Sequence, residues 1–403
     1  MNHTRQIKHR ALFLLAAVPV LTTGSRLLRA DTGPCGGQNI TLPFSDVPSS
    51  NMFFCAIAEA YFTGLSNGTS PTTYTPAQPV AREQMAAFVT RTMDQSLRRG
   101  NKRAIVEQWW TPGDTAVLRA VSIGTTPRDI MFDGQDLWVA NSVSDSVSRV
   151  RASDGRVMQT WTGADGAIAV TAAAGKIFIA ANLGPGVPGK IYSINPEAPL
   201  AGAVTVFETD LGASPLQMTF DGVNLWTANA SGSISRVNAA NALDSSLTGF
   251  SSPSDILWDG ANLWVSDGGD NKLKRVDPSN GSVLENISVG GSANKLLFDG
   301  LNIWVSNFSS QDITIVRATG GLRGSVLATL SGNGLDGPYG MAFDGERVLV
   351  CNYNNNSVSL FKATDVTPIG NLSTGANSHP EAARSDGVNF WIVRTSLNDI
   401  VRF

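Results

Sequence analysis

The sequence predicts a mainly β protein: a seven-bladed β-propeller with four-stranded blades, preceded by a small α-helical module. A ten-residue pattern, such as FDGVNLWTAN at Phe220–Asn229, recurs along the 403-residue chain. The glycine of its Asp-Gly step, or an equivalent glycine, returns every 38–47 residues, which is the length of one blade. No repeat contains a helical pattern ten residues long, so a repeat of alternating strands and helices is excluded. The seven glycines are Gly134, Gly175, Gly222, Gly260, Gly300, Gly345 and Gly387.

The repeat that starts at Pro253 shows four strands in order: PSDILW, LWVSD, KLKRVD and SVLENISVG. Polar turns rich in Asp, Asn and Gly separate them. The second strands are apolar on both faces, which is typical of a sheet packed on both sides. Tryptophans share one register in these strands, and we expect them to fill the wedge between adjacent blades rather than form a sugar-binding row. They are Trp138, Trp226, Trp264, Trp304 and Trp391.

The two ends of the repeat region predict how the ring closes. The last repeat ends after its third strand, at Phe403, whereas Thr115–Gly124 before the first repeat resembles a fourth strand. Pairing of these two segments would complete the last blade and remove two exposed edges. Deletion of Ser396–Phe403 is therefore expected to destabilise the whole ring.

The repeats resemble a wider group of seven-bladed propellers that includes YncE-like, NHL-type and virginiamycin B lyase-like proteins. The resemblance covers roughly Thr115–Phe403. It implies the fold more than the activity, because propellers carry many unrelated functions.

The first 30 residues are typical of a secretory signal peptide. A basic start, MNHTRQIKHR, precedes the apolar run Ala11–Thr22, and Ala30 is a cleavage point. An uncleaved anchor is the alternative. Cleavage removes five positive and no negative charges from a chain of net charge −3, which argues against nucleic-acid binding. No later segment is long and apolar enough to cross a membrane. We expect an exported protein of the cell envelope, in the periplasm or at the cell surface.

The three cysteines fit an exported protein. Cys35 and Cys55 lie close together in the N-terminal region and form a disulfide in one interpretation, and stay reduced in the other. Cys351 lies in the predicted strand VLVCNY and is expected to be a small buried hydrophobe.

Residues 41–99 form a separate module with two predicted helices, Met52–Phe62 and Arg82–Leu97. A linker at 100–113 joins this module to the propeller at 114–403. The module resembles a single S-layer homology repeat. The matching pieces are Phe44-Ser45-Asp46-Val47, Gly64-Leu65-Ser66-Asn67-Gly68, Tyr74-Thr75-Pro76 and Val80-Ala81-Arg82-Glu83-Gln84-Met85-Ala86.

The resemblance implies binding of cell-wall polysaccharide through Arg82, with Glu83 beside it, at the start of the second helix. A guanidinium at a helix N-terminus suits an acidic sugar group. Ala81 replaces the usual helix-capping Thr, and the family ordinarily uses three repeats where this chain has one. In the alternative, the helices pack against a neighbour and Arg82 forms a local ion pair.

Several kinds of chemistry are excluded by composition. Beyond the signal peptide the chain has one histidine, His379, so metal sites built from His and Cys are excluded and a Ser-His-Asp triad would depend on His379 alone. There is no phosphate-binding loop and no EF-hand spacing. The repeated Asp-Gly pairs indicate turns rather than calcium sites. We expect no metal and no cofactor.

Ligands of propellers usually bind at the mouth of the central channel, which the first strand of each blade lines. The predicted register places polar residues of both charge signs there, and such a set suits a sugar or a peptide. A hydrated plug of mutual ion pairs is the alternative. The residues are Arg128, Asp129, Gln217, Ser254, Asp255, Asn294, Lys295, Tyr339, His379 and Glu381.

Two functions follow. The first is a non-enzymatic envelope protein, wall-associated through its N-terminal module, whose propeller binds a ligand or protein or acts as a scaffold. The second is a streptogramin lyase, a carbon–oxygen lyase, by resemblance to virginiamycin B lyase. Those enzymes pair a catalytic His and Glu with magnesium, and only His379 and Glu381 offer such a pair here. The repeats carry Trp-x-Ala/Ser-Asn/Asp where that family has Trp-x-Thr-Glu. The binding protein is the favoured hypothesis.

Overall fold

The computed structural model describes residues 31–35, 38–62, 66, 68–82, 84–85, 120–198, 201–242 and 244–403. These residues divide into two compact units, one before and one after residue 97. The predicted signal peptide 1–30, Glu83, the linker 100–113 and the second predicted helix after Met85 lie outside the described residues. Within the described ranges, no helix has the length and apolar character needed to cross a membrane.

The N-terminal unit contains a hairpin and a helix. Strands β1 (Thr32–Cys35) and β2 (Gln38–Thr41) pair antiparallel, and α1 spans Phe54–Phe62. The helix begins two residues later than predicted, because Asn51 forms a turn: its side chain accepts the Phe53 N–H and its carbonyl accepts the Phe54 N–H, both at 2.9 Å. The hairpin was not predicted from the sequence.

A disulfide between Cys35 and Cys55 joins β1 to α1. The hairpin, which precedes the predicted start of the module at residue 41, packs through Cys35 and Ile40 on the same small core as the helix. That core consists of Leu42, Phe44, Val47, Phe54, Ile57 and Ala58.

The sequence pieces quoted for the S-layer homology resemblance meet in this unit. The Asp46 carboxylate accepts the backbone N–H groups of Tyr74 at 2.8 Å and Thr75 at 2.7 Å. Where the second helix starts, the Ala81 N–H donates to the side-chain oxygen of Gln84 at 2.9 Å, so Gln84 supplies a cap that Ala81 lacks. Arg82 is exposed.

The second unit is a seven-bladed propeller of four-stranded antiparallel sheets, as predicted. The strands in chain order are β3 (Ala120–Ser122), β4 (Pro127–Phe132), β5 (Asp136–Asn141), β6 (Ser146–Arg151), β7 (Val157–Thr162), β8 (Ala167–Ala173), β9 (Lys176–Ala181), β10 (Pro188–Ile194), β11 (Thr205–Ala213), β12 (Pro215–Phe220), β13 (Asn224–Asn229), β14 (Ser233–Asn238), β15 (Asp244–Thr248), β16 (Pro253–Trp258), β17 (Leu263–Asp267), β18 (Lys272–Val276), β19 (Val283–Ser288), β20 (Ala293–Phe298), β21 (Asn302–Asn307), β22 (Asp312–Arg317), β23 (Val326–Leu330), β24 (Pro338–Phe343), β25 (Arg347–Asn352), β26 (Ser357–Lys362), β27 (Pro368–Ser373), β28 (Pro380–Ser385), β29 (Phe390–Arg394) and β30 (Asp399–Arg402).

Blades 1 to 6 are the successive groups of four strands from β4 to β27, and blade 7 is β28-β29-β30-β3. The closure predicted from the sequence is confirmed: β3 pairs antiparallel with β30, with Ala120 opposite Val401 and Val121 opposite Ile400. Residues 115–119 of the predicted closing strand lie outside the described range. Each innermost strand contacts the next one around the ring, and β28 contacts β4, so the circle of innermost strands is complete.

The five tryptophans are buried between adjacent blades, with at most 1% of each exposed, which confirms the packing interpretation and contradicts a sugar-binding row. Each indole N–H also donates to the Asp five residues earlier at 2.7 Å, a tie that the sequence analysis missed. The pairs are Trp138–Asp133, Trp226–Asp221, Trp264–Asp259, Trp304–Asp299 and Trp391–Asp386.

The same aspartates hold the predicted Asp-Gly turns. Asp133, for example, accepts the backbone N–H groups of Gln135 at 2.8 Å and Asp136 at 2.7 Å. Gly134 has a φ of 101°, which L side chains rarely adopt, so this step requires glycine. Cys351 is fully buried, as predicted, and burial raises the pKa of its thiol.

Candidate functional site

The innermost strands begin at one mouth of the central channel, and two shared backbone features position their polar residues. The residue before the strand has a positive φ in six blades: Thr126, Gly166, Ser214, Ser292, Gly337 and His379. An irregularity in the pairing then follows the first strand residue in all seven blades. Because a bulge adds a residue opposite the partner strand, the second and third residues form two successive rings around the mouth.

The sequence-predicted residues divide between these two rings. The second strand position holds Arg128, Ser254, Asn294, Tyr339 and Glu381, and the third holds Asp129, Gln217, Asp255 and Lys295. His379 precedes its strand, with a φ of 43°. The sequence prediction already named neighbouring pairs such as Arg128 and Asp129, and the bulge explains why neighbours in sequence both belong to the mouth.

Arg128 and Glu381 link the first blade to the last. One guanidinium nitrogen, Nη1, contacts both carboxylate oxygens of Glu381, at 2.7 and 2.9 Å. The Thr395 hydroxyl lies 2.7 Å from Glu381 Oε2, and Glu381 is only 4% exposed. Burial is the largest single influence on Arg128 and lowers its pKa, but the charge and hydrogen bonding of Glu381, together with two nearby tyrosines, raise the pKa overall. This pair is one of the mutual ion pairs expected if the polar residues of the mouth neutralise each other, which was the alternative to a ligand site in the sequence analysis.

Asp129 and Asp255 each accept a hydrogen bond from a backbone N–H on the innermost strand of the following blade. Asp129 accepts the backbone N–H of Val170 at 2.9 Å, and Asp255 accepts that of Leu296 at 2.7 Å. The innermost strands of adjacent blades belong to different sheets, so these N–H groups have no ladder partner on the channel side. The two carboxylates therefore stabilise the ring as well as line the channel.

Asp255 is nearly inaccessible to solvent, and burial raises the pKa of its carboxyl from 3.8 to about 6. Lys295 and two backbone hydrogen bonds lower the pKa of Asp255, but burial is the larger influence, and the charge of Asp129 raises the pKa further. Burial is also the largest single influence on Lys295 and lowers its pKa, but the charge of Asp255 and smaller contributions from other acidic groups nearby raise the pKa overall. Ionising Asp255 is therefore costly in the folded state.

We expect this cost to appear as a pH dependence of stability. Between about pH 4 and pH 6 the folded protein keeps a proton on Asp255 that the unfolded chain has lost, so stability falls as the pH rises through that window and is constant above it. The loss is on the order of 3 kcal/mol. Urea unfolding of the wild type and Asp255→Asn across pH 4–8 measures it as a changing difference between the two proteins. Parallel curves would contradict it.

Lys295 is the cation of the mouth that is available to a ligand. Its ammonium lies 5.9 Å from the centre of the Tyr339 ring and makes no hydrogen bond or ion pair with any other described residue. The side chain is half-buried. It can donate to a ligand oxygen at the mouth.

Four half-buried rings lie together at the mouth over blades 5 to 7, and we call them the aromatic mouth group: Phe308, Tyr339, Tyr353 and His379. Tyr353 lies 4.8 Å from the His379 ring and 6.1 Å from the Tyr339 ring, measured between centroids. Phe308 meets Tyr339 edge to face at 6.1 Å. His379 Nδ1 is 2.8 Å from the Ser396 hydroxyl.

Sequence reasoning missed Phe308 and Tyr353, although the repeats carry a signal for them. Both directly follow the asparagine that ends the second strand, Asn307 or Asn352. The aligned position is small in other blades, as at Ser142, Ala230 and Gly268. Bulky rings at one aligned position of two adjacent blades mark a local departure from the repeat.

A cavity of about 380 Å³ occupies the channel. Its polar lining includes Asp129, Gln217, Asp255, Lys295, Glu381 and Arg384, and its apolar lining includes Trp258 and Phe298. Arg128 and the four rings of the aromatic mouth group do not line this cavity. Among the residues that the structure describes, no three His, Cys, Asp or Glu side chains are grouped so that they could hold a metal ion.

Comparisons with known proteins find likeness in structure but not in sequence. No family model matches the chain, and no curated protein matches it. A streptogramin B lyase structure superposes with a TM-score of 0.60 at 16% identity, covering 71% of this chain and 96% of the other. Virginiamycin B lyase from Staphylococcus aureus gives 0.58 at 15%, covering 69% and 94%. Hydrazine synthase from Kuenenia stuttgartiensis gives 0.58 at 16%, covering 70% and 97%.

These similarities show the propeller fold alone. The matched proteins have different activities, as their names state, and identities of 15–16% carry no assignment of residues. The resemblance to virginiamycin B lyase-like propellers therefore holds at the level of architecture.

Proposed function

We propose that the chain is an exported, non-enzymatic protein of the cell envelope whose propeller binds a polar ligand at the channel mouth. The observation that carries this proposal is the mouth itself. It combines the aromatic mouth group with the free Lys295 ammonium, and Lys295 also lines the channel cavity of about 380 Å³.

Binding is favoured over catalysis because the residues that a lyase would use are already engaged. Both oxygens of Glu381 accept hydrogen bonds from Arg128, and Thr395 lies against one of them. A carboxylate whose two oxygens are both held in this way is not free to bind a metal ion.

Streptogramin lyase is the alternative function, and one observation favours it: His379 lies at the mouth of a propeller similar to that of the streptogramin B lyase structure. A histidine-to-alanine variant of the Staphylococcus aureus virginiamycin B lyase is catalytically inactive. Incubating the full chain with quinupristin, with His379→Ala as the control, decides between the two. We expect no linearisation by either protein. Turnover that disappears in His379→Ala would replace our proposal with the lyase.

Wall association is proposed from the N-terminal unit. The support is the internal agreement of the S-layer homology landmarks, above all the contacts of Asp46 with Tyr74 and Thr75, and the exposure of Arg82. Export is proposed from the basic and apolar start of the chain.

Sedimentation with purified cell walls tests the attachment. We expect the wild type to co-sediment and Arg82→Ala to remain largely in solution, because the guanidinium contacts acidic wall sugars. Arg156→Ala, which removes an exposed arginine from the propeller, serves as the charge-matched control and should behave as the wild type. Equal retention of all three proteins would remove the role assigned to Arg82.

A further inference from the structure

The composition of the mouth indicates which class of ligand it takes. The aromatic mouth group presents three successive rings, Tyr339, Tyr353 and His379, with neighbouring ring planes inclined by 36–37°. All three are half-buried, so each keeps part of its surface open to solvent. Three neighbouring rings in this arrangement offer an apolar, polarisable surface to a flat ligand face. Aromatic rings of this kind pack well against C–H groups.

The charges around these rings nearly cancel. Arg128 and Glu381 neutralise one another at 2.7 Å, and Lys295 lies near Asp255, whose charge raises the pKa of the lysine. A strongly charged ligand would leave one of these groups without a counter-charge. A neutral ligand with many hydroxyl groups has no such cost, because each hydroxyl both donates to a carboxylate and accepts from an ammonium.

Part of the backbone around the channel is already occupied and is not available to a peptide. A peptide that adds to a sheet needs free N–H groups along an edge strand. On the inner edges of blades 2 and 5 the N–H groups of Val170 and Leu296 are already bonded to Asp129 and Asp255. On these two blades a ligand therefore meets side chains rather than free backbone donors.

We infer that the channel mouth binds a neutral saccharide, with one sugar ring stacked on Tyr353 and its hydroxyl groups bonded to Lys295 and to the polar residues of the mouth. This inference rests on the proposed ligand-binding function and names the ligand class for the same site. The combination of open rings with balanced charge carries it.

Isothermal titration calorimetry on the full chain tests the inference. The probes are N-acetylchitotetraose, cellotetraose and mannotetraose as neutral saccharides, tetragalacturonate as an acidic one, and a neutral Gly/Ser/Asn decapeptide. At least one neutral saccharide should bind saturably, and Tyr353→Ala should raise its Kd about tenfold. Tyr353→Phe keeps the ring and should retain most of the affinity. Phe53→Ala, at an exposed aromatic residue of the N-terminal unit, should change nothing.

Failure of this inference is distinguishable from failure of the proposed function. If tetragalacturonate or the decapeptide binds in a Tyr353-dependent way and no neutral saccharide does, the saccharide class is wrong and ligand binding at the mouth stands. Binding of a neutral saccharide that Tyr353→Ala leaves unchanged, or no binding of any neutral saccharide, also overturns the inference. Quinupristin turnover that depends on His379 would overturn the proposed function itself.

Discussion

Removing the last strand, by ending the chain at Leu397, is expected to unfold or severely destabilise the whole propeller. The truncation deletes β30, the strand that joins β29 to β3 and so closes the ring. Ile400 and Val401 are fully buried, and they pack in different cores, one shared with blade 1 and the other with blade 6. Burying two such side chains contributes about 1.5–3 kcal/mol each, before the lost backbone pairing is counted.

This loss is comparable with the total stability of an ordinary protein, about 5–15 kcal/mol. Differential scanning calorimetry of the full-length and truncated chains measures it, as a large fall of the unfolding midpoint or as loss of the cooperative transition. Leu397→Ser is the matched control, because Leu397 lies in the same tail and its side chain is 40% exposed. An unchanged midpoint in the truncated protein would contradict the view that the ends hold the ring together.

The architecture could be predicted from the sequence because the pattern of one blade recurs seven times along the chain. The strand bounds from Pro253 onward agree with β16 to β19 to within two residues, and the closing pair was located from an incomplete last repeat. Repetition supplies its own control, since an error in one blade is corrected by the alignment of the others.

The details of the mouth could be predicted only in part, because they depend on where blades differ. The polar residues of the innermost strands were found from the register, but their pairing was not. Arg128 and Glu381 are 253 positions apart, and they meet only because the ring closes. Phe308 and Tyr353 follow the second strands, whereas the channel-mouth residues were predicted from the first strand of each blade.

The N-terminal hairpin shows a different limit. Its two strands have four residues each and no alternating pattern, so local sequence gives little indication of them. The structure joins the hairpin to α1 through the Cys35–Cys55 disulfide, a long-range constraint that strand propensity does not express.

Blade 4 departs from four other blades in a buried polar network. In blades 1, 3, 5 and 6 an asparagine ends the second strand, and its side-chain amide donates to two side chains of the third strand. The amides are those of Asn141, Asn229, Asn307 and Asn352. Blade 4 has Asp267 in place of the asparagine and Lys274 in place of a serine or threonine.

The two substitutions compensate one another. The Lys274 ammonium lies 2.6 Å from the Asp267 carboxylate, and both side chains are buried. Asp267 also accepts the backbone N–H groups of Ser251 at 2.8 Å and Ser252 at 2.7 Å. Asp270 lies 3.1 Å from the same ammonium, but its side chain is 38% exposed. Water therefore screens this second contact and weakens it.

Asp267→Asn should therefore reduce the free energy of unfolding by about 3–5 kcal/mol, because it leaves a buried ammonium without its main counter-charge. The remaining contact with Asp270 places the expected loss toward the lower end of that range. Lys274→Ser should also destabilise the protein, since it leaves the buried Asp267 carboxylate with backbone donors only. Urea unfolding at pH 7 measures both losses.

The double variant Asp267→Asn, Lys274→Ser tests whether the pair acts as one unit. It recreates the asparagine and serine of blade 1, Asn141 and Ser148, so it should lose less stability than the two single variants together, by more than about 1 kcal/mol. Recovery should be partial, because the Ser251 and Ser252 N–H groups bond to different oxygens of Asp267, and asparagine replaces one of those oxygens with an NH2 group. Losses that simply add, to within about 0.5 kcal/mol, would mean that the blade tolerates each change separately and that the ion pair does not replace the amide network.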